Sequence, residues 1–381
     1  MKVEFYRHNI GEVEKERVVK ALDSIFLTTG DIVYEFEQKL AQYLQVERSV
    51  ALMSCTAALH LSLLALDIGP GDEVITTPMT FIATANSILH AGATPVFVDV
   101  EPETGNLDVN RVEAAITEKT KAIMPVHLYG HMCDMLALRT LANKYNLKII
   151  EDAAHCLEGI RDGFHPGQLG DAACFSFYAT KSITCGEGGA VGVNSSDMAE
   201  KLRKLALHGM SRSAADRYHG QYKHWDMELL GWKYNLNNIQ AAMLTPQLEL
   251  ANDRLAQREK ICQKYEAAFK EVEGIDFPKV LAGTKSARHL FTIWVDPQLR
   301  DQFMSEIASR GVSVAVNYRA VHLLSYYKET YNFEPGRFPE AERIGNSTIT
   351  LPLYNRLTDE EVDYVIATVK SVVSKNYSGV S

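Results

Sequence analysis

The sequence of 381 residues lacks any hydrophobic run long enough to span a membrane, which takes about 20 consecutive apolar residues. Its start, from Met1 to His8, leads into an acidic, helical pattern without the apolar core of a signal peptide. Basic residues are also fewer than acidic ones: the sequence has 39 Lys and Arg residues and 48 Asp and Glu residues, which gives a net charge of −9. Such a balance disfavours non-specific binding to nucleic acid or membrane surfaces. We therefore expect a cytoplasmic protein with no nucleic-acid or membrane partner.

Paired cysteines are absent as well. The six cysteines form no CxxC pair, and most lie in apolar surroundings that are typical of reduced packing residues. Only His127, His131 and Cys133 are close enough in sequence to suggest a metal cluster. A fourth ligand is missing there, and the context is a strand leading into a loop, so the sequence predicts no metal.

What the sequence contains is an ordinary soluble composition, with 46% hydrophobic and 23% charged residues, at a length that predicts about two domains. From Ser49 onward, strand-like and helix-like segments alternate, which indicates a parallel sheet covered by helices. A long helix over residues 238–269, interrupted near Pro246, leads to a C-terminal part. In that part, strands are predicted at residues 289–295 and 312–317.

The most informative stretch spans residues 147–189. A short apolar run ends at Asp152, which places this carboxylate at the C-terminal end of a strand, where open α/β sheets bind their ligands. Ser176 stands between two phenylalanines in a second strand-like run, so its hydroxyl points away from their rings. Lys181 follows, and glycines within residues 186–189 permit tight backbone beyond it. The three polar side chains are thus expected to converge on one ligand.

Pyridoxal phosphate (PLP) is a ligand that uses all three groups. Its aldehyde needs an amine to form a Schiff base, its ring nitrogen needs a carboxylate to stay protonated, and its phosphate needs hydroxyl and N–H donors. Lys181, Asp152 and Ser176 fit these roles in that order. Taken singly, each has a plain structural alternative: an exposed lysine, an aspartate in a turn, and a buried serine bonded to backbone. Their combination favours PLP.

Two neighbouring segments add candidates for the same site. Cys55 and Thr56 open a helix directly after a predicted strand, and the N–H groups at a helix start attract anions such as phosphate. An ordinary helix cap is the alternative, and it is the better interpretation of these two residues taken alone. Phe81 lies at the next strand-to-helix junction, where an aromatic ring can stack on a pyridine ring; core packing is its alternative.

The motifs at residues 151–155 (EDAAH), 175–181 (FSFYATK) and 186–189 (GEGG) together resemble the signature of the DegT/DnrJ/StrS family of PLP-dependent nucleotide-sugar aminotransferases. The resemblance covers nearly the whole chain and is closest to the branch that includes the UDP-4-amino-4-deoxy-L-arabinose aminotransferases. It implies PLP fold type I, the aspartate-aminotransferase fold. This is an α/β fold with a large, mixed, mostly parallel seven-stranded sheet and a smaller C-terminal α/β domain. We expect a large PLP-binding domain at residues 1–250 and the small domain at residues 251–381.

The resemblance also implies an activity. It predicts a PLP-dependent transaminase, with pyridoxamine phosphate as intermediate, that moves an amino group from glutamate to a keto group of a UDP- or dTDP-linked deoxy-sugar for cell-surface polysaccharide biosynthesis. It further implies a homodimer with shared active sites, in which Asn235 reaches the cofactor phosphate of the partner subunit. By the same resemblance, His155 and Phe81 belong to the cofactor site.

The resemblance is less informative about the substrate. Thr29 lies in a threonine-glycine turn that the family uses near the substrate entrance, although a simple helix connection explains this turn equally well. Candidates for binding the sugar or diphosphate follow a predicted strand, where a solvated loop is an equal alternative: Tyr318, Arg319 and His322. Two departures from the close branch, at Ser182 and Asn317, leave the substrate open. Residues 211–226, with Arg212, Arg217 and Lys223, are predicted to form a long functional loop.

Three other functions were weighed against transamination. A sugar dehydratase of the same fold carries histidine in place of the Schiff-base lysine, which Lys181 argues against. A non-enzymatic regulator with this fold predicts a lost lysine or an added DNA-binding domain, and neither is found. A cysteine nucleophile at Cys156 or Cys185 lacks an identifiable general base.

Overall fold

The computed structural model describes residues 1–211 and 224–377, so Arg212, Arg217 and Lys223 of the predicted loop lie outside the described residues. The strands are β1 (Arg48–Leu52), β2 (Glu73–Thr76), β3 (Thr94–Phe97), β4 (Thr120–Ile123), β5 (Lys148–Asp152), β6 (Ile160–Arg161), β7 (Ala172–Ser176), β8 (Gly189–Val193), β9 (Thr284–Lys285), β10 (Phe291–Trp294) and β11 (Thr348–Leu351). The helices are α1 (Glu12–Leu22), α2 (Asp31–Leu44), α3 (Cys55–Ala65), α4 (Ile82–His90), α5 (Val109–Val112), α6 (Met135–Tyr145), α7 (Ser196–Ala206), α8 (Asn238–Glu249), α9 (Ala251–Phe269), α10 (Arg300–Ser309), α11 (Ser325–Tyr331), α12 (Pro339–Ser347) and α13 (Asp359–Tyr377).

Seven strands form one mixed, mostly parallel sheet in the order β1-β8-β7-β5-β4-β2-β3. The run from β7 to β3 is parallel throughout, whereas β8 is antiparallel to both of its neighbours, β1 and β7. Parallel strands need crossover helices, and the alternation of strands and helices from β1 onward supplies them. The predicted α/β fold class is confirmed.

Helix α3 is apolar on almost every side. Nine of its eleven residues are buried, all except Thr56 and Leu64, because the helix packs against β5, β7, β8, α4 and α7. A helix that is hydrophobic all round belongs in a protein interior. Its N-terminus therefore has a fixed place at the edge of the sheet, which matters for the site described below.

The C-terminal part has its own core. Strands β10 and β11 pair antiparallel and pack with α9, α10 and α13 around large apolar side chains that include Phe269, Phe291 and Phe303. Val3, near the N-terminus, also packs into this core. Helix α8 ends at Glu249 and α9 begins at Ala251. The expected domain boundary at residue 250 coincides with this break, but the division into two domains stays a prediction.

Two local predictions were wrong. The long helix breaks at Leu250 and not at Pro246, because Pro246 is accommodated inside α8, where it and its neighbours are buried against α1 and α2. Residues 312–317 do not form a regular strand and make only single bridges, from Val312 to Val3 and from Ala315 to Thr350. The strand that was missed, β11, is only four residues long and follows α12 directly, and its alternating sequence Thr-Ile-Thr-Leu is buried at all four positions.

Among the described residues, no helix has the length and apolar character needed to cross a bilayer. In the same ranges, no group of three or more His, Cys, Asp and Glu side chains is arranged to hold a metal ion. His127 instead pairs with Glu151, with 2.8 Å between Nε2 and Oε2, and its Nδ1 accepts the Cys133 N–H at 3.2 Å.

Candidate active site

A cavity of about 550 Å³ opens where β5 and β7 end and α3 begins. It brings together eight of the residues predicted to form the site, from segments up to 263 positions apart: Cys55, Thr56, Phe81, Asp152, His155, Ser176, Lys181 and Tyr318. The carboxyl ends of strands in open α/β sheets are where ligands bind. The remaining predicted residues, Thr29, Asn235, Arg319 and His322, do not line this cavity.

Asp152 is the last residue of β5 and is buried at the bottom of the cavity. Its Oδ2 accepts a hydrogen bond from the Thr84 hydroxyl at 2.7 Å, and its Oδ1 accepts the Ala154 N–H at 3.1 Å. Burial raises the pKa of the Asp152 carboxyl, whereas these two hydrogen bonds and the nearby Lys181 charge oppose the rise. The carboxylate is thus held in one orientation and needs a cation beside it to favour its charged form.

Lys181 lies in the loop that follows β7, in a turn in which its N–H donates to the Tyr178 carbonyl at 2.9 Å. The loop is tied back to the sheet edge because Phe177 donates to the Gly188 carbonyl and accepts the Cys185 N–H. Burial lowers the pKa of the Lys181 ammonium to about 8, and the nearby Asp152 carboxylate acts in the opposite direction. A substantial neutral fraction near physiological pH makes this amine a better nucleophile than an exposed lysine.

The start of α3 forms the third part of the site. Ser54 is the N-cap, and its hydroxyl accepts the Ala57 N–H at 3.1 Å. The first N–H groups of a helix have no partner within the helix, so those of Cys55 and Thr56 suit an anion. We call the helix start at residues 54–56 the cradle. Burial raises the pKa of the Cys55 thiol well above its usual range, so this side chain brings no negative charge to the cradle.

Gly189 allows β8 to approach this helix start. A Cβ at Gly189 would lie 2.3 Å from the Ser54 carbonyl carbon and 2.5 Å from the Cys55 nitrogen, which no real side chain tolerates. The glycine of the GEGG motif is therefore required by the close approach of two backbones. Ser176, at the end of the adjacent strand β7, borders the same cradle.

One wall of the cavity is built from stacked rings. The His155 ring is stacked on that of Tyr318, with centroids 5.9 Å apart, and Phe81 lies 5.7 Å from Tyr318. The Tyr129 N–H donates to His155 Nδ1 at 3.3 Å, so the proton of the neutral imidazole lies on Nε2, which faces the Tyr318 hydroxyl at 3.1 Å. Burial, reinforced by the Lys181 charge, holds the pKa of His155 well below its usual range and keeps the ring neutral.

Phe81 is the residue that precedes α4, and about half of its surface is exposed at the cavity. Its position at a strand-to-helix junction agrees with the prediction. An exposed ring on a cavity wall is not a core-packing residue, so the alternative considered for Phe81 is not supported.

Thr29 and Asn235 contact each other and lie outside the cavity that contains Lys181. Asn235 Nδ2 donates to Thr29 Oγ1 at 2.7 Å, and both residues border a second cavity of about 600 Å³ that contains the Glu37–Arg203 ion pair. Asn235 does not reach the cofactor site of its own chain. A role for Asn235 in a shared site stays a prediction.

His322 is a core residue in this structure. Its side chain is fully buried, packs edge-on against Phe338 and bonds Glu342 through Nε2 at 3.0 Å. The expectation that it binds substrate is not supported, because the ring is enclosed by Phe333, Phe338 and Glu342. Arg319 is exposed beside Tyr318 and is not part of the cavity lining.

Sequence reasoning missed two residues of the site. Thr84, from α4, orients Asp152. His289 lines the cavity and places its Nε2 3.4 Å from the Lys181 amine. Its only signal in the sequence is a histidine directly before the apolar run of β10, which is too weak to assign a function.

The donor set fits PLP. A buried amine of lowered pKa, a buried carboxylate oriented by two hydrogen bonds, and a helix start with a serine beside it meet in one cavity. These are the groups that the aldehyde, the ring nitrogen and the phosphate of PLP need.

Comparison with known proteins agrees with this fit. The model of the DegT/DnrJ/EryC1/StrS aminotransferase family matches residues 8–370. The spore coat polysaccharide biosynthesis protein SpsC of Bacillus subtilis is 39% identical over 371 residues, which cover 96% of this chain and 95% of SpsC. The GDP-perosamine synthase of Caulobacter vibrioides is 36% identical over 365 residues, with 94% of this chain and 95% of the synthase covered.

Solved structures show the same fold. Spr1654 from Streptococcus pneumoniae in its PMP form superimposes with a TM-score of 0.93 at 34% identity, covering 98% of this chain and all of Spr1654. Its PLP form gives a TM-score of 0.91. PseC of Helicobacter pylori, an aminotransferase involved in the biosynthesis of pseudoaminic acid, gives 0.91 at 29% identity, covering 98% of this chain and all of PseC. The chain belongs to the DegT/DnrJ/EryC1/StrS aminotransferase family and is a PLP-dependent aminotransferase.

Proposed function

We propose that the enzyme transfers an amino group from glutamate to a keto group of a nucleotide-linked deoxy-sugar, for cell-surface polysaccharide or a related glycan. The observation that carries this proposal is the meeting of Lys181, Asp152 and the start of α3 in one cavity. The sugar part of the proposal rests on the relatives, one named for spore coat polysaccharide biosynthesis and one for perosamine synthesis.

In this proposal each part of the site has a defined role. PLP, when bound, supplies an electron sink that stabilises negative charge at the donor carbon. Lys181 holds the cofactor and then moves a proton with its freed amine, for which a pKa of about 8 is well suited. Asp152 keeps the ring nitrogen protonated. Cys55 and Thr56 N–H groups, with the hydroxyls of Thr56 and Ser176, bind the phosphate.

The diphosphate of a nucleotide sugar needs positive charge. Among the described residues that line the cavity, Lys181 is the sole lysine or arginine, and it is committed to the cofactor. We therefore assign the diphosphate to groups at the rim, with Arg319 as the candidate because it is exposed directly beside Tyr318. Tyr318 lies inside the cavity and is the candidate for contact with the sugar.

Two half-reactions test donor and acceptor separately. Glutamate alone is expected to bleach the visible absorbance of the PLP form, and a matching keto-sugar nucleotide is then expected to restore it. A panel of UDP-, dTDP- and GDP-linked 3-keto and 4-keto deoxy-sugars identifies the acceptor. Free keto-sugars without nucleotide serve as the control. Restoration by simple 2-oxo acids, with no response to any member of the panel, would refute a sugar acceptor.

The role of Lys181 has its own test. Borohydride reduction of the holoenzyme is expected to fix the cofactor on the peptide that contains Lys181, as read by mass spectrometry. The matched control is Lys148→Ala, which changes a half-exposed lysine outside the cavity and leaves the label in place. A label on another lysine would refute the assignment.

A further inference from the structure

The pair formed by Lys181 and His289 is not explained by the roles assigned so far. The imidazole Nε2 lies 3.4 Å from the lysine Nζ, within hydrogen-bond distance. His289 is 8% exposed and borders both the main cavity and a narrow third cavity that Lys181 also lines. This third cavity has a volume of about 20 Å³, room for roughly one water molecule.

The backbone that carries His289 is held from three directions. Its N–H donates to the Tyr129 carbonyl at 3.2 Å, and the Ala287 N–H donates to the Gly130 carbonyl at 2.9 Å. Arg258 donates to the carbonyls of Ala287 and Arg288, each at 3.1 Å. The imidazole is therefore presented to Lys181 by a rigid segment, although it comes from a different part of the chain.

Arg258 is itself fixed by a buried ion pair. Its Nη2 lies 2.8 Å from Oε1 of Glu158, and the two side chains are 3% and 2% exposed. Breaking such a pair would leave a buried charge without compensation, which is strongly destabilising. Glu158 follows Asp152 and His155 in the same loop, so the ion pair joins the loop after β5 to α9, and the other hydrogen bonds of Arg258 tie both to the segment before β10.

The charges around the pair decide which partner carries the proton. Burial, with the positive charges of Lys181 and Arg258, holds the pKa of His289 well below its usual range. The imidazole is thus neutral and accepts through Nε2 while the proton stays on the lysine. The titratable and charged groups that line the two cavities bordered by Lys181 and His289 are Tyr6, Arg7, Cys55, Asp152, His155, Tyr178, Glu187, Arg258, Tyr318 and Tyr354.

We propose that His289 is a positioning residue for Lys181. While the lysine amine is not bound to the cofactor, it donates a hydrogen bond to the imidazole, and this bond holds the amine in the cavity. A neutral acceptor at this place stabilises the protonated amine without adding a competing negative charge. No covalent step is assigned to His289.

The inference rests on the proposed cofactor role of Lys181, but its test does not depend on turnover. The full-length chain, freed of cofactor, is pulsed with acetic anhydride at a series of pH values, and the acetylation of Lys181 is followed by mass spectrometry. In the wild type we expect the rate of Lys181 acetylation to rise with pH and to reach the midpoint of this rise at about pH 8. His289→Leu removes the acceptor and is expected to lower this midpoint by about one unit, because the charged form loses a hydrogen bond. His289→Gln keeps an acceptor and is expected to stay near the wild-type midpoint.

Two further variants make the result decisive. His289→Met replaces His289→Leu if the latter does not fold, as judged by circular dichroism. His60→Leu is the matched control, because His60 is another buried histidine that lines neither cavity. An unchanged midpoint in the Leu and Met variants, or an equal shift in the Gln variant, would overturn the proposal. A borohydride label away from Lys181 would instead refute the proposed cofactor site and leave the midpoint result standing.

Discussion

At the scale of single residues, Asp152 depends on partners that are distant in sequence. Thr80 and Thr84 hydroxyls lie 2.7 Å apart, and Thr84 in turn donates to the carboxylate at 2.7 Å. Because burial raises the pKa of Asp152, its charged form is favoured only when these donors and a neighbouring cation are in place. A protonated pyridine ring would supply such a cation, so the carboxylate and the cofactor proton stabilise each other.

Asp152→Asn is therefore expected to retain PLP but to lose catalysis. The helix start and Ser176 still hold the phosphate, whereas a neutral amide no longer keeps the ring nitrogen protonated. We expect the rate of the half-reaction with the amino donor to fall by about 10²-fold or more, measured by stopped-flow absorbance.

Thr84→Val provides the comparison for that variant. It removes one donor to the carboxylate and keeps the charge, so its loss in rate is expected to be much smaller than that of Asp152→Asn. Equal rates for wild type and Asp152→Asn would show that another group protonates the ring.

At the scale of elements, the cofactor cradle depends on how closely α3 and β8 approach. In the proposed site the phosphate would meet backbone N–H groups at the start of the buried helix α3. Gly189 is where the two elements meet, at Ser54 and Cys55. The geometry of the cradle is thus set by packing between a helix and a strand.

Gly189→Ala is expected to weaken PLP binding by about tenfold or more and to lower the melting temperature. The added Cβ would displace the backbone of Ser54 and Cys55, and such overpacking costs about 1–3 kcal/mol. Cofactor affinity is read from absorbance titration of the cofactor-free protein. Gly69→Ala is the matched control, because its Cβ would meet only the Ala91 carbonyl oxygen at 3.5 Å. Equal weakening in both variants would contradict the proposed role of Gly189.

At the scale of the whole molecule, the described residues of one chain offer a PLP phosphate fewer hydrogen-bond donors than its oxygens can accept. A dianionic phosphate left partly unpaired in a dry site is costly. Asn235, the residue implied by the family resemblance to reach a partner subunit, lies outside the cofactor cavity of its own chain, and the carbonyl of the adjacent Tyr234 accepts the N–H of the exposed Met53. This position supports the proposal of a homodimer with shared sites.

Complementation tests the shared site. Asn235→Ala and Lys181→Ala chains are each expected to be impaired alone. After subunit exchange, half of the sites in a mixed dimer combine an intact Lys181 with an intact Asn235, so partial activity should return. Exchange is verified by native mass spectrometry of differently tagged chains. Absence of recovery after verified exchange, or full activity in a demonstrated monomer, would refute the shared site.

The sequence determined the parts of the site that lie where regular elements end. Asp152 and Ser176 close strands, and Cys55 opens a helix, so the apolar patterns on either side predicted their positions. The alternation of strands and helices predicted the large sheet for the same reason, since each element carries its own periodicity. The sequence also predicted that the long helix is interrupted, but it placed the interruption near Pro246 and the structure has it at Leu250.

Only the tertiary structure decided which distant residues meet. Thr84 and His289 carry no local motif, and their contacts with Asp152 and Lys181 arise from packing between elements 68 and 108 positions apart in sequence. His322 shows the opposite error: a polar residue beyond a strand suggests a binding loop, but aromatic rings and Glu342 enclose it. Local sequence reports the periodicity of one element, whereas the contacts of a side chain depend on how that element packs against all the others.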